Sequence, residues 1–295
     1  MNAAVDAARL RAPGVLARAW RHPKVRSGGL LVLVLVLVAV LAPWLAPHDP
    51  NEQDLMLTLQ PPAWVDGGSK AYPLGTDGLG RCVLSRLVFG SRVALLVAVV
   101  AALGAMAIGT IVGIVAGYFG GWVDRLVSSA VALWMAFPPV VFSMMLMVGL
   151  GTGVGNVILA VVLVDWTRFC RVVRAEVLVV RQREYVQAAR LLGFSHLRTI
   201  VSEVLPAVAP LMLTLLSLQM GVAIVVEAIL SFVGLSVPSD VVAWGVMLAD
   251  GRDQINQASW SLLAPIFGIV WAVLGFNLLS DGLRTALDPR LRTGR

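Results

Sequence analysis

The sequence predicts an all-α integral membrane protein, a single bundle of six transmembrane helices. Hydropathy is the first reason. Of 295 residues, 58% are hydrophobic and 14% charged, with a mean hydropathy of +0.85, whereas a soluble domain carries about 25% charged residues. The second reason is that apolar stretches recur six times along the chain. At 1.5 Å per residue each comes close to the roughly 30 Å of a bilayer's hydrocarbon core. The third is where the charge falls: 18 of the 23 Lys and Arg lie in the tail up to Arg26, at Arg125, from Arg168 to Arg198, and after Asp281. Positive residues stay on the cytoplasmic side, so both termini and the stretch 181–206 are expected there.

The elements follow in order. Residues 1–27 form a basic cytoplasmic tail, and 28–46 is the first span, uncharged throughout. A cleaved leader is the rival reading there, but both the charged region and the apolar run are too long for one. Residues 47–91, rich in Pro and Asp, form an extracytoplasmic segment with little regular structure before Gly80. Residues 81–92 read as an amphipathic helix on the membrane surface. The second span, 93–118, carries Gly109, Gly113 and Gly117. Glycine at every fourth position makes a smooth strip on which another helix can pack closely.

The third span, 126–150, contains Pro138 and Pro139, whose missing N–H groups break a helix. The glycine-rich loop 151–156 follows no strand and does not read as a phosphate loop. The fourth span is 157–173, the fifth 207–233 and the sixth 261–279, with a polar external stretch between the last two. The bundle core is 92–281, and 282–295 is a second short cytoplasmic tail.

The polar stretch 181–206 is longer than a turn requires. Tyr185, Ala188, Ala189 and Leu192 recur at the spacing of one helix face, with Gln187 and Arg190 on the other. Gly193 ends that helix, Ser195 caps a second short helix at 196–201, and Pro206 suits the first turn of the next span. This is a helix–glycine–helix elbow lying along the membrane, with two alanines leaving room for a partner. On pattern alone, a self-contained loop resting on lipid headgroups remains the alternative.

Two acids fall inside predicted spans, where an unpaired charge costs about 2.5–3.5 kcal/mol. Asp165 lies one turn before Arg168, near the expected cytoplasmic end of the fourth span, and Glu227 in the external third of the fifth. Both are candidate pore-facing residues, and each has a structural alternative in a pair or a hydrogen bond. His22, His48 and His196, and the cysteines Cys82 and Cys170, show no metal or catalytic spacing. The basic balance is that of loops on a membrane protein and gives no nucleic-acid partner.

The elbow resembles the EAA motif of permease subunits in bacterial ABC importers. That motif has Glu-Ala-Ala, a glycine four residues on, an isoleucine and a Leu-Pro. This chain has Gln187, Ala188 and Ala189, then Gly193, Ile200, and Leu205 with Pro206, so Gln187 replaces the usual glutamate. The run from Pro73 to Asp77 with Gly80 and Arg81, Ser85 to Leu87, Gly117 to Asp124, Ala136 to Pro139, Leu230 to Leu235, and Asp281 to Arg284 looks like dipeptide/oligopeptide permeases of the C-subunit type. Cys82 replaces that family's aspartate.

The resemblance implies a non-catalytic subunit in the bacterial inner membrane. It would form half of a peptide pore with a second homologous permease and be fed by an extracytoplasmic solute-binding protein. One or two ABC ATPase subunits would bind ATP and Mg2+ and be coupled through the elbow, at Glu184, Tyr185 and the motif positions. Look-alike permeases handle dipeptides, oligopeptides, glutathione-like peptides and nickel chelates. The chain has no Gly-x-x-x-x-Gly-Lys-Ser/Thr, and neither Lys24 nor Lys70 follows a glycine. Secondary transport and a bare scaffold role are the rival classes.

Overall fold

The computed structural model describes residues 20, 22–238 and 240–287. Most of the basic N-terminal tail, and Asp288 onward at the other end, lie outside the described residues. Helices α1 (Pro23–Val40) and α2 (Ala42–Leu45) are followed by α3 (Val83–Phe119), α4 (Gly121–Trp134), α5 (Pro139–Leu150) and α6 (Val154–Val180). The elbow helices α7 (Glu184–Leu191) and α8 (His196–Thr199) come next. A π-turn, Ile200–Val204, then joins α9 (Leu205–Phe232), α10 (Trp244–Arg252) and α11 (Ser259–Leu287). No strand occurs among the described residues; Thr76 and Cys82 form an isolated bridge.

Among the described residues, four helices are long and apolar enough to cross a membrane: Pro23–Val40, Val83–Phe119, His196–Phe232 and Ser259–Ala286. Helices α4 and α5, bent by 84° at the prolines, make a fifth if they are one span. The count differs from six because of α6. It is 27 residues long, but every 18-residue stretch of it includes three or more of Asp165, Arg168, Arg171, Arg174 and Glu176.

Three boundaries move for physical reasons. The first helix opens at Pro23, where proline loses no intrahelical bond, and ends at Val40 rather than 46. No surface helix precedes the second span: α3 runs unbroken for 37 residues, about 55 Å. The fourth helix continues past 173 to Val180, because its charges sit on helical turns and not in a loop. Arg174 donates to both oxygens of Asp124 in α4, at 2.8 Å from Nη2 to Oδ2. Arg181 Nη1 donates to the Gly117 carbonyl at 3.0 Å and so satisfies the end of α3.

Helix α3 is the axis of the bundle and packs on α1, α6, α9 and α11. Its glycines face α6. A Cβ at Gly109 would fall on the Trp166 carbonyl oxygen, at Gly113 2.8 Å from that of Cys170, and at Gly117 2.9 Å from that of Arg174. The two backbones therefore touch over two helical turns. One core unites Val97, Ala101, Val161, Ala223 and Leu230, and a second Ala94, Ala98, Ile224, Trp244 and Phe276. A third, of Tyr118, Val177, Val180, Val186, Val204 and Val208, seats the elbow.

Candidate functional site

The elbow is built by its caps. Glu184 stands in the first turn of α7 and Arg190 in the last, as the helix dipole favours. Gly193 adopts φ +85°, a left-handed conformation that costs other residues a Cβ clash. Its N–H donates to Arg190 O at 3.0 Å, and the Phe194 N–H reaches Ala189 O at 3.1 Å. These are the two bonds of a Schellman closure. Ser195 Oγ then accepts from Arg198 N at 3.3 Å and starts α8. The chain does not stop again: the expected separate second helix is the first turn of a rod that runs from His196 to Phe232.

The inward face differs from the one that periodicity suggests. Val186 is fully buried and Ala189 nearly so, while Tyr185, Ala188 and Leu192 point outward with Gln187. Leu191, Leu192 and Leu197 are 89%, 78% and 72% exposed, a cluster of leucines left bare at the tip. Ile200 and Leu205 are half-buried against the bundle, and Pro206 is exposed. The elbow is tied to the end of α3 by the Tyr118 hydroxyl and His196 Nδ1, 3.2 Å apart, and by the Arg190 guanidinium over the Tyr118 ring at 5.9 Å. His196, scattered in sequence from every other histidine, gave no signal of this.

A groove of about 300 Å³ opens between α5, α6, α9 and α11. Valine is the commonest residue of its walls, with Asp165, Arg168 and Asn277 as the main polar groups. Because α6 reaches Val180, Asp165 and Arg168 lie near its middle, not near its end. Arg168 Nε sits 3.6 Å from Asp165 Oδ1, and Gln219 donates to Asp165 Oδ2. Asp165 is 4% exposed and Arg168 is 40% exposed. Glu227 is elsewhere: it is buried inside the chain and accepts from Ser231 Oγ at 2.6 Å and Ser236 Oγ at 3.4 Å.

At the end opposite the elbow, an ionic cluster fixes the 47–82 segment. Arg81 donates to Asp77 Oδ2 and to Asp250 Oδ2, each at 2.7 Å, which joins the segment to α10. Arg86, 1% exposed, lies 3.7 Å and 3.6 Å from the same two oxygens. The sequence does not reveal this cluster, because four charges outside an apolar run look alike whether or not they are buried. No group of three His, Cys, Asp or Glu able to hold a metal occurs among the described residues.

Residues 109–293 match a family model described as binding-protein-dependent transport system inner membrane component, and 15–62 match the N-terminal transmembrane domain of oligopeptide transport permease C. The chain is 38% identical over 285 residues to a di/tripeptide transport system permease protein of Pseudomonas aeruginosa, with 95% of this chain and 94% of the relative covered. It is 34% identical to a dipeptide transport system permease protein of Haemophilus influenzae, covering 92% and 94%. A glutathione transport system permease protein of Pectobacterium atrosepticum is 34% identical, covering 90% and 87%.

Proposed function

The chain belongs to the family of binding-protein-dependent transport system inner membrane components, and on that premise we propose how its parts divide the work. It is a permease subunit of an ABC peptide importer, the non-catalytic component of a multi-pass assembly in the inner membrane. On this reading α1, α3, the bent pair α4–α5, α6, the rod ending in α9, and α11 are six spans. The elbow and both termini face the cytoplasm, in keeping with the basic residues around them. Residues 47–82 and α10 face outward, toward a solute-binding protein. A second homologous permease completes the pore. ATP and Mg2+ belong to one or two ATPase partners, since the chain lacks a phosphate loop.

The observation that carries the coupling role is the bare leucine cluster on a capped and anchored elbow. Exposed apolar groups gathered on a rigid projection fit a partner's cleft. When the ATPase pair closes on nucleotide, a seated elbow moves with it, and the rod from His196 to Phe232 carries that movement into the bundle. Glu184, Tyr185, Gln187, Ala188 and Arg190 flank the tip and would line the contact.

The test is thiol labelling of Leu192→Cys in membranes with and without the ATPase. Protection only in its presence is expected. Equal labelling in both would return the elbow to a loop resting on lipid.

A further inference from the structure

We propose that Arg168 is a carboxylate-binding residue in the translocation path, which takes the C-terminal carboxylate of the transported peptide. This rests on the import reading above and names the part of the substrate that the groove meets.

Arg168 lies about 21 Å along α6 from Val154 and about 18 Å from Val180. On the six-span reading, a charged side chain that is 40% exposed at that position is costly against hydrocarbon. The groove into which it opens therefore faces water or another protein. Asn277, also exposed, stands on the same groove from α11. A lipid-facing valine surface needs neither residue.

Gln219 holds one oxygen of Asp165, and the other oxygen faces Arg168 Nε. Asp165 thus fixes the inner edge of the guanidinium, and among the described residues the terminal Nη groups meet no acceptor. A planar fork with two free donors matches a carboxylate bidentately. The groove's volume of about 300 Å³ is at the small end of ligand sites, a size for a short peptide or part of one. Asp165 is then a positioning residue, and Gln219 keeps it from rotating.

The experiment uses the whole assembly of both permeases and the ATPase in proteoliposomes. An aryl-azide dipeptide with a free carboxylate should label the groove segments of α5 and α9 in the wild type, and its C-terminal amide should label them far less. Arg168→Gln should abolish the difference, and Arg168→Lys should keep part of it. With binding protein preloaded with L-alanyl-L-alanine, Arg168→Gln should lower dipeptide imported per ATP about tenfold. Gln219→Leu should act in the same direction and less strongly.

Equal labelling of the wild type by acid and amide overturns the proposal. So does wild-type stoichiometry in Arg168→Gln. Loss of assembly in both Arg168 variants would make the residue a structural brace and also overturns it. A wild-type assembly that imports no dipeptide on ATP would fail the import reading first, and this inference with it.

Discussion

The two ends of the molecule are fastened in opposite ways. The 47–82 segment is pinned by buried charge: Asp77 and Asp250 share two arginines, of which Arg86 is 1% exposed. Gly80 and Gly75 press against the backbone of 54–61 so closely that a Cβ has no room. The elbow rests on a patch of valines, one Tyr118–His196 bond and a cation over a ring, and its tip is bare. Removing one partner from a buried ion pair leaves an uncompensated charge, while apolar contacts of an exposed element weaken gradually. One end is held by buried charge, and the other by apolar contacts that leave its tip bare.

Asp77→Ala tests the stronger fastening. It leaves Arg81 and Arg86 with Asp250 alone, at a cost of about 3–5 kcal/mol. Thermal unfolding in detergent should show a markedly lower midpoint, and an unchanged midpoint would break the contrast. Gly193→Val comes next. Forcing a β-branched residue into φ +85° costs about 1–2 kcal/mol. Proteolysis at Arg190 and Arg198 should quicken and import should fall while the chain stays inserted. Equal cleavage rates would mean that the cap does not hold the elbow.

Tyr118→Phe removes the bond to His196 and should cost about 1 kcal/mol. Hydrogen exchange should rise in α7 and α8 and stay unchanged around Arg81; a rise at both ends would show that they are not independent. The smallest effect on the chain itself belongs to Leu191→Ser with Leu192→Ser. Both side chains are bare, so stability should shift by less than about 0.5 kcal/mol. Co-purification of the ATPase should nevertheless drop, and full retention would remove the docking role from the tip.

Much of this architecture was legible in the sequence, because lipid imposes one rule on every span. Apolar length located the helices, and Pro138 and Pro139 marked the 84° bend. What the sequence conceals has one physical origin, a partner distant along the chain. Arg174 falls just past the expected end of the fourth span at 173, yet it is satisfied by Asp124 from α4, a partner 50 residues away that periodicity cannot reveal. Arg86 looked superficial for the same reason. At the elbow, Gly193 and Ser195 announced their caps, because capping is local. Which face turned inward was not readable, since Val186 is buried in a cluster that includes Ile114 and Tyr118 of α3 and Val204 and Val208 of the rod. Gln219 gave no warning that it meets Asp165.

The π-turn sets a phase. Along the rod, the buried positions step back from Val208 by four to Val204, then by five to Thr199. One residue more than an α-turn holds is wound into that stretch, and each residue of a helix advances by about 100°. Everything from Thr199 toward the tip is therefore indexed a quarter-turn away from where uninterrupted winding would aim it. Deleting Val201, which is exposed, would alter composition hardly at all. It would swing the leucines round the rod's circumference and, on the proposed docking role, present the ATPase with the wrong side.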